Sequence, residues 1–286
     1  MSVNILLCEG APKSPDVRVL TALLSGVCLV EPSGDKYGLP RWVRTNRGVR
    51  IASVIAALRD RDLEAEYSQP QDSPHPWRQN DERGHPFWLG WYWERVEIEN
   101  YLVDPQVVQR SLGDRAPDQQ SYQDGLRAAA ESIADYSAAR TALTQSRHRP
   151  RTLDNRWGQA GGYANHPIPG NRTEVICRKE ISAILEAHRS SQHLDETEVK
   201  QRFEAFLPAC RPGGDRFASF LIFFSGKDLL CAMRESLSSL GYPSPGSFVE
   251  RILVGLERST DNPWDWLPEW GELRRQAASI TSNTGS

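Results

Sequence analysis

Two aspartates that follow an apolar stretch are the first residues with an evident chemistry. Residues 54–62, VIAALRDRD, are mostly small or branched apolar residues and end with Asp60 and Asp62 one residue apart. If this segment is a strand, side chains at i and i+2 share a face, so both carboxylates leave the sheet together and Arg61 points the other way. Two carboxylates this close repel each other unless a proton or a cation lies between them, and hard ions such as Mg²⁺ prefer such oxygen ligands. On this segment alone, a solvated turn after the strand is the better interpretation.

The segments before these aspartates predict a parallel sheet. Residues 4–8 (NILLC) and 27–31 are short apolar strands, and a helix that begins at Ser14-Pro15 separates them. An arginine-containing helix then leads into the third strand, residues 51–62. Alternating strands and helices are typical of α/β proteins with right-handed crossovers, whose sites lie beyond the carboxyl ends of the strands. Glu9 follows the first strand and should lie near both aspartates, and three carboxylates at one sheet edge favour a metal site.

Downstream, the chain predicts a loop, a fourth strand and then a mainly helical part. Residues 68–90 are rich in proline and polar groups and predict a loop or lid. In VEIENYL, apolar residues alternate with Glu97 and Glu99, as in a half-buried strand whose two glutamates share a face. We therefore expect three regions: an α/β core at 1–104, a helical insertion at 105–210 with a basic Gly/Arg loop at 147–172, and a returning core segment with C-terminal helices at 211–286.

Composition excludes several classes of function. With 286 residues, 39% hydrophobic and 25% charged, the chain suits a soluble globular protein, and its net charge of -3 gives no general attraction to nucleic acid or anionic membranes. Five cysteines without CxxC spacing, no signal-peptide pattern and no membrane-length apolar run predict a cytoplasmic protein. Gly226-Lys227 lacks the upstream glycine of a P-loop, so any ATP dependence must come from a partner.

Five motifs in this order resemble a known family. CEG, VEPSGDK, LRDRD, ERVEIENYLVDP and FSGKDLL are together similar to a Toprim-like family of unknown function that is associated with ABC-type ATPases in bacterial anti-phage defence. The family includes the Toprim effector of the PARIS system and is related to the nucleases named for overcoming lysogenisation defect. The resemblance covers most of the chain and implies a Toprim-like, Rossmann-like sheet with flanking helices.

The resemblance implies a Mg²⁺-dependent or Mn²⁺-dependent endonuclease that cuts DNA or RNA, including tRNA, under control of an ABC-type ATPase encoded nearby. By matching position, Glu9 would be a base or metal ligand, and Asp60 and Asp62 would hold the ion. Glu99 and Glu97 would complete the acidic cluster, and Lys227 would lie beside the metal. Such chemistry needs a polarised phosphoryl oxygen, an activated water and neutralisation of the developing charge.

Some acidic positions depart from the family pattern. The longer insert APKSP separates Glu9 from Asp16, so Asp16 either caps a helix or joins the site. Glu64 replaces a third acidic residue two positions after Asp62 and is an extra candidate.

Two basic groups are candidate phosphate contacts, against the alternative of a solvated charged surface. Arg41, Arg44 and Arg47 fall on the helix before the third strand. Arg149 and Arg151 lie in the 147–172 loop beside aromatic residues, a mixture that suits stacking on single-stranded nucleic acid.

Two other functions remain open. One is a non-catalytic Toprim-shaped scaffold or sensor subunit of an ATPase complex, in which the tryptophan-rich segments 88–93 and 264–270 would anchor an interface, although core packing also explains such residues. The other is phosphoryl transfer on small nucleotides, which ranks lowest because no nucleotide-binding loop is evident. A homo-oligomer also stays open.

Overall fold

A five-stranded sheet organises the amino-terminal third of the protein. The computed structural model describes residues 2–34, 38–49, 54–63, 70–80, 84–146, 173–191 and 195–279. The strand order is β2-β1-β3-β5-β4, in which β1 pairs in parallel with β2 and β3, β3 pairs in parallel with β5, and β4 is an antiparallel edge strand. The strands are β1 (Ile5–Cys8), β2 (Leu29–Pro32), β3 (Ile55–Arg59), β4 (His75–Asn80) and β5 (Pro86–Tyr92).

Helices cover the sheet and form most of the remaining chain. Two crossover helices follow the first two strands, and the others come after the sheet, with short 3₁₀ turns at Gly113–Arg115 and Pro263–Asp265. The helices are α1 (Pro15–Leu23), α2 (Leu39–Val49), α3 (Glu99–Leu102), α4 (Pro105–Leu112), α5 (Gln119–Ser132), α6 (Ala134–Gln145), α7 (Glu174–Ser191), α8 (Glu196–Cys210), α9 (Asp215–Ala218), α10 (Phe220–Phe223), α11 (Gly226–Ala232), α12 (Arg234–Ser239), α13 (Pro245–Glu257) and α14 (Pro268–Ala278). The predicted α/β class with a mostly parallel sheet is confirmed.

The two faces of the sheet belong to two apolar clusters. Leu6 and Leu58 point into a large cluster that includes residues from Val3 to Ala277, whereas Leu7 and Ala57 point into a smaller one beneath α2. This alternation is the period of two expected of strands that are covered on both faces. The larger cluster draws side chains from all three predicted regions, so those regions share one core, and their boundaries stay a prediction.

Two predictions between residues 68 and 104 are wrong. The predicted loop at 68–90 contains strands β4 and β5, and the predicted strand VEIENYL is a bend followed by the short helix α3. The fourth parallel strand is therefore the aromatic segment PFWLGWY, ten residues earlier than its predicted place. Proline and polar residues in β4 are compatible with a strand because β4 lies at the edge of the sheet.

The tryptophan-rich segments lie in the core. Trp93, Trp266 and Trp270 are at most 1% exposed, and Trp88 and Trp91 are also buried. Trp264 is half-buried and packs against the same core, so core packing accounts for these tryptophans, and an interface role for the two segments stays a hypothesis. Among the described helices, none combines the length and the apolarity that crossing a bilayer requires.

Candidate active site

The loop after β3 places Asp60 at the carboxyl edge of the sheet. Strand β3 ends at Arg59, and the next residues turn away, with a left-handed φ of 57° at Asp62. The backbone N–H of Asp62 donates to the carbonyl of Val96 at 2.8 Å. The prediction that Asp60 and Asp62 share one strand face is therefore wrong, because the strand ends at Arg59 and the backbone at Asp62 is left-handed.

Asp60 is surrounded by other carboxylates. Its Oδ1 atom is buried and has no hydrogen-bond partner among the described residues. Burial, and then the negative charges of Asp16, Glu9, Glu97 and Glu99, raise the pKa of Asp60 well above its usual value. We call these five residues the acidic cluster: Glu9 and Asp16 with Asp60 form its sheet side, and Glu97 with Glu99 forms its helix side.

The sheet side depends on the end of β1 and the start of α1. Glu9 directly follows β1, and Asp16 lies in the first turn of α1. Burial raises the pKa of Asp16, and Glu97 adds to the shift, while hydrogen bonding to the backbone and the charge of Lys227 oppose it. Burial also raises the pKa of the Cys8 thiol, with contributions from Asp16, Glu9 and Asp60, so Cys8 is a buried thiol and no nucleophile.

On the helix side, Glu97 is a buried carboxylate with several donors. Its Oε1 accepts hydrogen bonds from the Ser225 hydroxyl at 2.7 Å and from the backbone N–H of Lys227 at 2.8 Å. Its Oε2 accepts from Lys227 Nζ at 2.9 Å. Burial alone would raise the pKa of Glu97, but the charge of Lys227 and these hydrogen bonds outweigh it and lower the pKa.

Lys227 links the two glutamates of the helix side. Its Nζ lies 3.3 Å from Glu99 Oε2 as well as 2.9 Å from Glu97 Oε2, while 61% of its side chain stays exposed. Burial lowers the pKa of Lys227, but the charges of Glu97 and Glu99 outweigh it and raise the pKa above its usual value. The pKa of Glu99 is raised, first by burial and then by Glu97. The ammonium is therefore charged and accessible.

Asn100 joins the segment that contains Glu97 and Glu99 to the segment that leads into Lys227. Its amide donates to the carbonyls of Leu221 at 2.9 Å and Phe224 at 2.7 Å. Its side-chain oxygen accepts from the backbone N–H groups of Glu97 and Gly226, each at 3.1 Å. A Cβ on Gly226 would lie 2.4 Å from the backbone nitrogen of Asn100, so only glycine permits this approach.

Buried polar side chains also hold the segment that contains Glu97 and Glu99 in place. Arg61 is 3% exposed, donates to the carbonyl of Glu94, and reaches the carbonyl of Ile222 at 2.9 Å. Glu269 accepts hydrogen bonds from the Tyr101 hydroxyl and from the backbone N–H of Glu94, and burial raises the pKa of Glu269 to about 7. Arg61 is thus a structural residue that ties the loop after β3 to α10.

The predicted basic contacts have different environments. Arg41 and Arg44 are exposed on α2, and Arg44 donates to the carbonyl of Asn80 at 3.1 Å. Arg47 turns toward the sheet and donates to the carbonyls of Ile55 and Trp88, both at 2.7 Å; burial lowers its pKa to about 10. Arg47 therefore fixes α2 to the sheet. Arg149, Arg151 and Glu64 lie outside the described residues.

The acidic cluster has the chemistry of a divalent-cation site but no closed set of ligands. The Oδ1 atom of Asp60 is enclosed without a donor, and four neighbouring carboxylates raise the pKa of this carboxyl. A bound cation would give the oxygen a partner and offset the repulsion between the negative charges. Within the described part of the chain, however, no three His, Cys, Asp or Glu side chains are arranged so that they could hold a metal ion as they stand. Binding would require side chains of the sheet side to rotate toward Asp60.

Sequence reasoning leaves the role of one site residue open and misses two others. The insert before Asp16 leaves its role open in the sequence, whereas in the structure its charge acts on Asp60, Glu99 and Cys8. The two missed residues are Asn100 and Ser225, although they lie within the motifs ERVEIENYLVDP and FSGKDLL. An asparagine and a serine beside acidic and basic motif residues are a signal that hydrogen bonds join those motifs.

Comparison with known proteins adds no family to this geometry: no family model matches the chain, and no curated protein matches it.

Proposed function

We propose that the protein is a metal-dependent phosphodiester hydrolase, an endonuclease of the Toprim type, with the acidic cluster as its centre. One observation carries the proposal: the Oδ1 atom of Asp60 is enclosed without a donor amid four other carboxylates, and an accessible ammonium lies beside them. Structural carboxylates are normally paired or hydrogen-bonded, and a cluster of strongly shifted groups at a strand end is typical of functional sites.

Mg²⁺ or Mn²⁺ would be held by Asp60 with Glu9 and Asp16, and Asp62 stays a predicted ligand. Such an ion polarises a phosphoryl oxygen and lowers the pKa of a bound water. Glu97 and Glu99 contact the ammonium of Lys227 at the edge of the cluster, and most of the Lys227 side chain is exposed to solvent. From there Lys227 can contact the anionic phosphate and stabilise negative charge that develops during cleavage.

The substrate we propose is DNA or RNA, including tRNA. Arg41 and Arg44 are exposed on α2, a helix whose described sequence contains three arginines and no acidic residue, so this surface suits phosphate contacts. The role as an anti-phage effector that an ABC-type ATPase restrains and releases comes from the motif resemblance alone. A nuclease without such control would harm its own cell.

Cleavage assays test the proposal. Duplex DNA, single-stranded DNA and tRNA are incubated with Mg²⁺ or Mn²⁺ and the purified protein, alone and with its genomic neighbour. We expect Asp60→Asn and Lys227→Met each to lose at least about 100-fold in rate. Glu131→Gln, which removes an exposed carboxylate from α5, is the matched control and should cleave like the wild type.

Equal cleavage by all four proteins would indicate a contaminant and refute the proposal. If no cleavage occurs under any condition, calorimetric titration with Mn²⁺ separates the remaining alternatives. Binding that Asp60→Asn abolishes would keep a metal centre, whereas no binding at all would favour the non-catalytic scaffold. For that alternative the tryptophans offer little surface, since five of them are buried and Trp264 is half-buried.

A further inference from the structure

A second concave site lies between α4 and α13. A cavity of about 710 Å³ is bounded by the end of α4, the 3₁₀ turn Gly113–Arg115, the second half of α13 and the segment that follows it. No member of the acidic cluster lines it. Its volume falls within the range of about 300–1,000 Å³ that is typical of small-molecule sites.

The cavity is lined by an excess of positive charge. Arg110 and Arg115 come from one wall, and Arg251 and Arg258 come from the other. Two acidic residues also line it, but one of them, Glu250, is paired with Arg18 at 2.7 Å. In the described residues no salt bridge involves any of these four arginines, so their guanidinium groups keep their donors for a ligand.

The floor and one rim of the cavity are built by close contacts. A Cβ on Gly255 would lie 1.9 Å from the carbonyl oxygen of Ser111, so α13 and α4 approach backbone to backbone there. The Ser111 hydroxyl is buried and has no hydrogen-bond partner among the described residues. On the rim, Arg251 lies 5.2 Å from the centre of the Tyr242 ring, and the Tyr242 hydroxyl donates to the carbonyl of Arg115 at 3.0 Å.

We propose that this cavity binds a small phosphorylated ligand with at least two negative charges. Guanidinium groups match phosphate oxygens with paired hydrogen bonds, and arginines on opposite walls would hold two anionic groups at once. A compact, concave site with polar walls fits a phosphate ester or a diphosphate better than a strand of nucleic acid, which needs an extended groove. This inference does not depend on the proposed nuclease activity.

Calorimetric titration with pyrophosphate, in EDTA so that no cleavage occurs, tests the site. The variant Arg110→Gln/Arg258→Gln removes one exposed arginine from each wall, and neither side chain makes a described salt bridge that the fold would lose. The control Arg178→Gln/Arg189→Gln removes the same charge from exposed positions on α7. Asp60→Asn is titrated in parallel.

We expect one pyrophosphate per wild-type chain, at least about tenfold weaker binding in the cavity variant, and changes below about twofold in the α7 control and in Asp60→Asn. Equal weakening in both double variants would mean general ionic attraction and would overturn the proposal. Absence of saturable binding up to about 10 mM would do the same. A single-stranded 20-mer, about the length that spans one or two single-strand binding sites, would refute the small-ligand assignment if it displaced pyrophosphate through the same arginines.

Discussion

The two sides of the acidic cluster show how differently a protein can treat buried carboxylates. Glu97 on the helix side and Asp60 on the sheet side are both enclosed by protein, yet the pKa of Glu97 is lowered and that of Asp60 is raised well above its usual value. Glu97 accepts hydrogen bonds from a hydroxyl, a backbone N–H and an ammonium. The Oδ1 atom of Asp60 accepts none from the described residues.

The contrast assigns different tasks to the two sides. Burial raises the pKa of both carboxyl groups, but the charge of Lys227 and three hydrogen bonds outweigh it at Glu97, whereas four neighbouring carboxylates add to it at Asp60. On the helix side Glu97 is stabilised by three donors, whereas Glu99 shares the single ammonium of Lys227 with Glu97 and its pKa is raised by burial and by Glu97. The sheet side has excess negative charge, so the demand for a cation lies at Asp60 and its neighbours.

The largest expected effect comes from separating the segments that build the helix side. Asn100→Ala removes an amide that serves four backbone groups, each of which is then left without its partner. We expect a loss of about 3–5 kcal/mol in the free energy of unfolding, measured by urea denaturation. Asn46→Ala, which removes one exposed hydrogen bond to Trp42, should change it by less than about 1 kcal/mol. A loss as small as that control would show that Asn100 does not fasten the site.

The next effect tests whether Glu97 is stabilised by its charge. Glu97→Gln should lower the free energy of unfolding at pH 7 by about 2 kcal/mol, because three donors lose a charged acceptor. Because the pKa of Glu97 is lowered in the folded state, its negative charge stabilises the fold at pH values above the ordinary pKa of 4.5. This contribution is lost as the pH falls through the folded-state pKa. The deficit should therefore disappear in acid, as urea denaturation between pH 3 and pH 7 would reveal. A deficit that is constant with pH would show that packing, and not charge, explains it.

Sequence reasoning predicts the α/β class and the first three strands, and it fails where tertiary contacts decide. Short apolar runs at regular spacing are enough to place β1 and β3, which are buried on both faces, and β2, which lies at the edge of the sheet and is more exposed. VEIENYL has the alternation of a strand, but Asn100 and Tyr101 bind groups more than 100 residues away and draw the segment into a helical turn. Asp62 was misplaced for a similar reason, since its backbone bonds to Val96.

On the sheet side the expected effect is smaller and has the opposite sign. Because the pKa of Asp60 is raised in the folded state, Asp60 stabilises the fold at pH values below its ordinary pKa of 3.8. This contribution is lost as the pH rises through the folded-state pKa. In metal-free buffer at pH 8, Asp60→Asn should therefore be more stable than the wild type by about 1 kcal/mol, and less so in acid. Thermal unfolding from pH 4 to pH 8 measures this.

If the proposed metal site exists, added Mn²⁺ should raise the midpoint of thermal unfolding for the wild type and leave that of Asp60→Asn unchanged, since only the wild type would bind the ion in the folded state. If Asp60→Asn were the less stable protein at every pH, Asp60 would have a donor, and the distinction between the two sides would fail.

The smallest effects come from a matched pair of serines, one at each side. Both precede a helix as its N-cap, but Ser225 accepts from the N–H of Asp228 and donates to Glu97, whereas the hydroxyl of Ser14 makes no capping hydrogen bond and has no described partner. Ser225→Ala should cost about 1 kcal/mol, and Ser14→Ala should change the free energy of unfolding by less than about 0.5 kcal/mol. Urea denaturation of the two variants measures the difference. Equal losses of unfolding free energy in the two variants would mean that Ser14 also makes a hydrogen bond on the sheet side. The excess negative charge of the sheet side would then be smaller than the unpaired oxygen of Asp60 indicates.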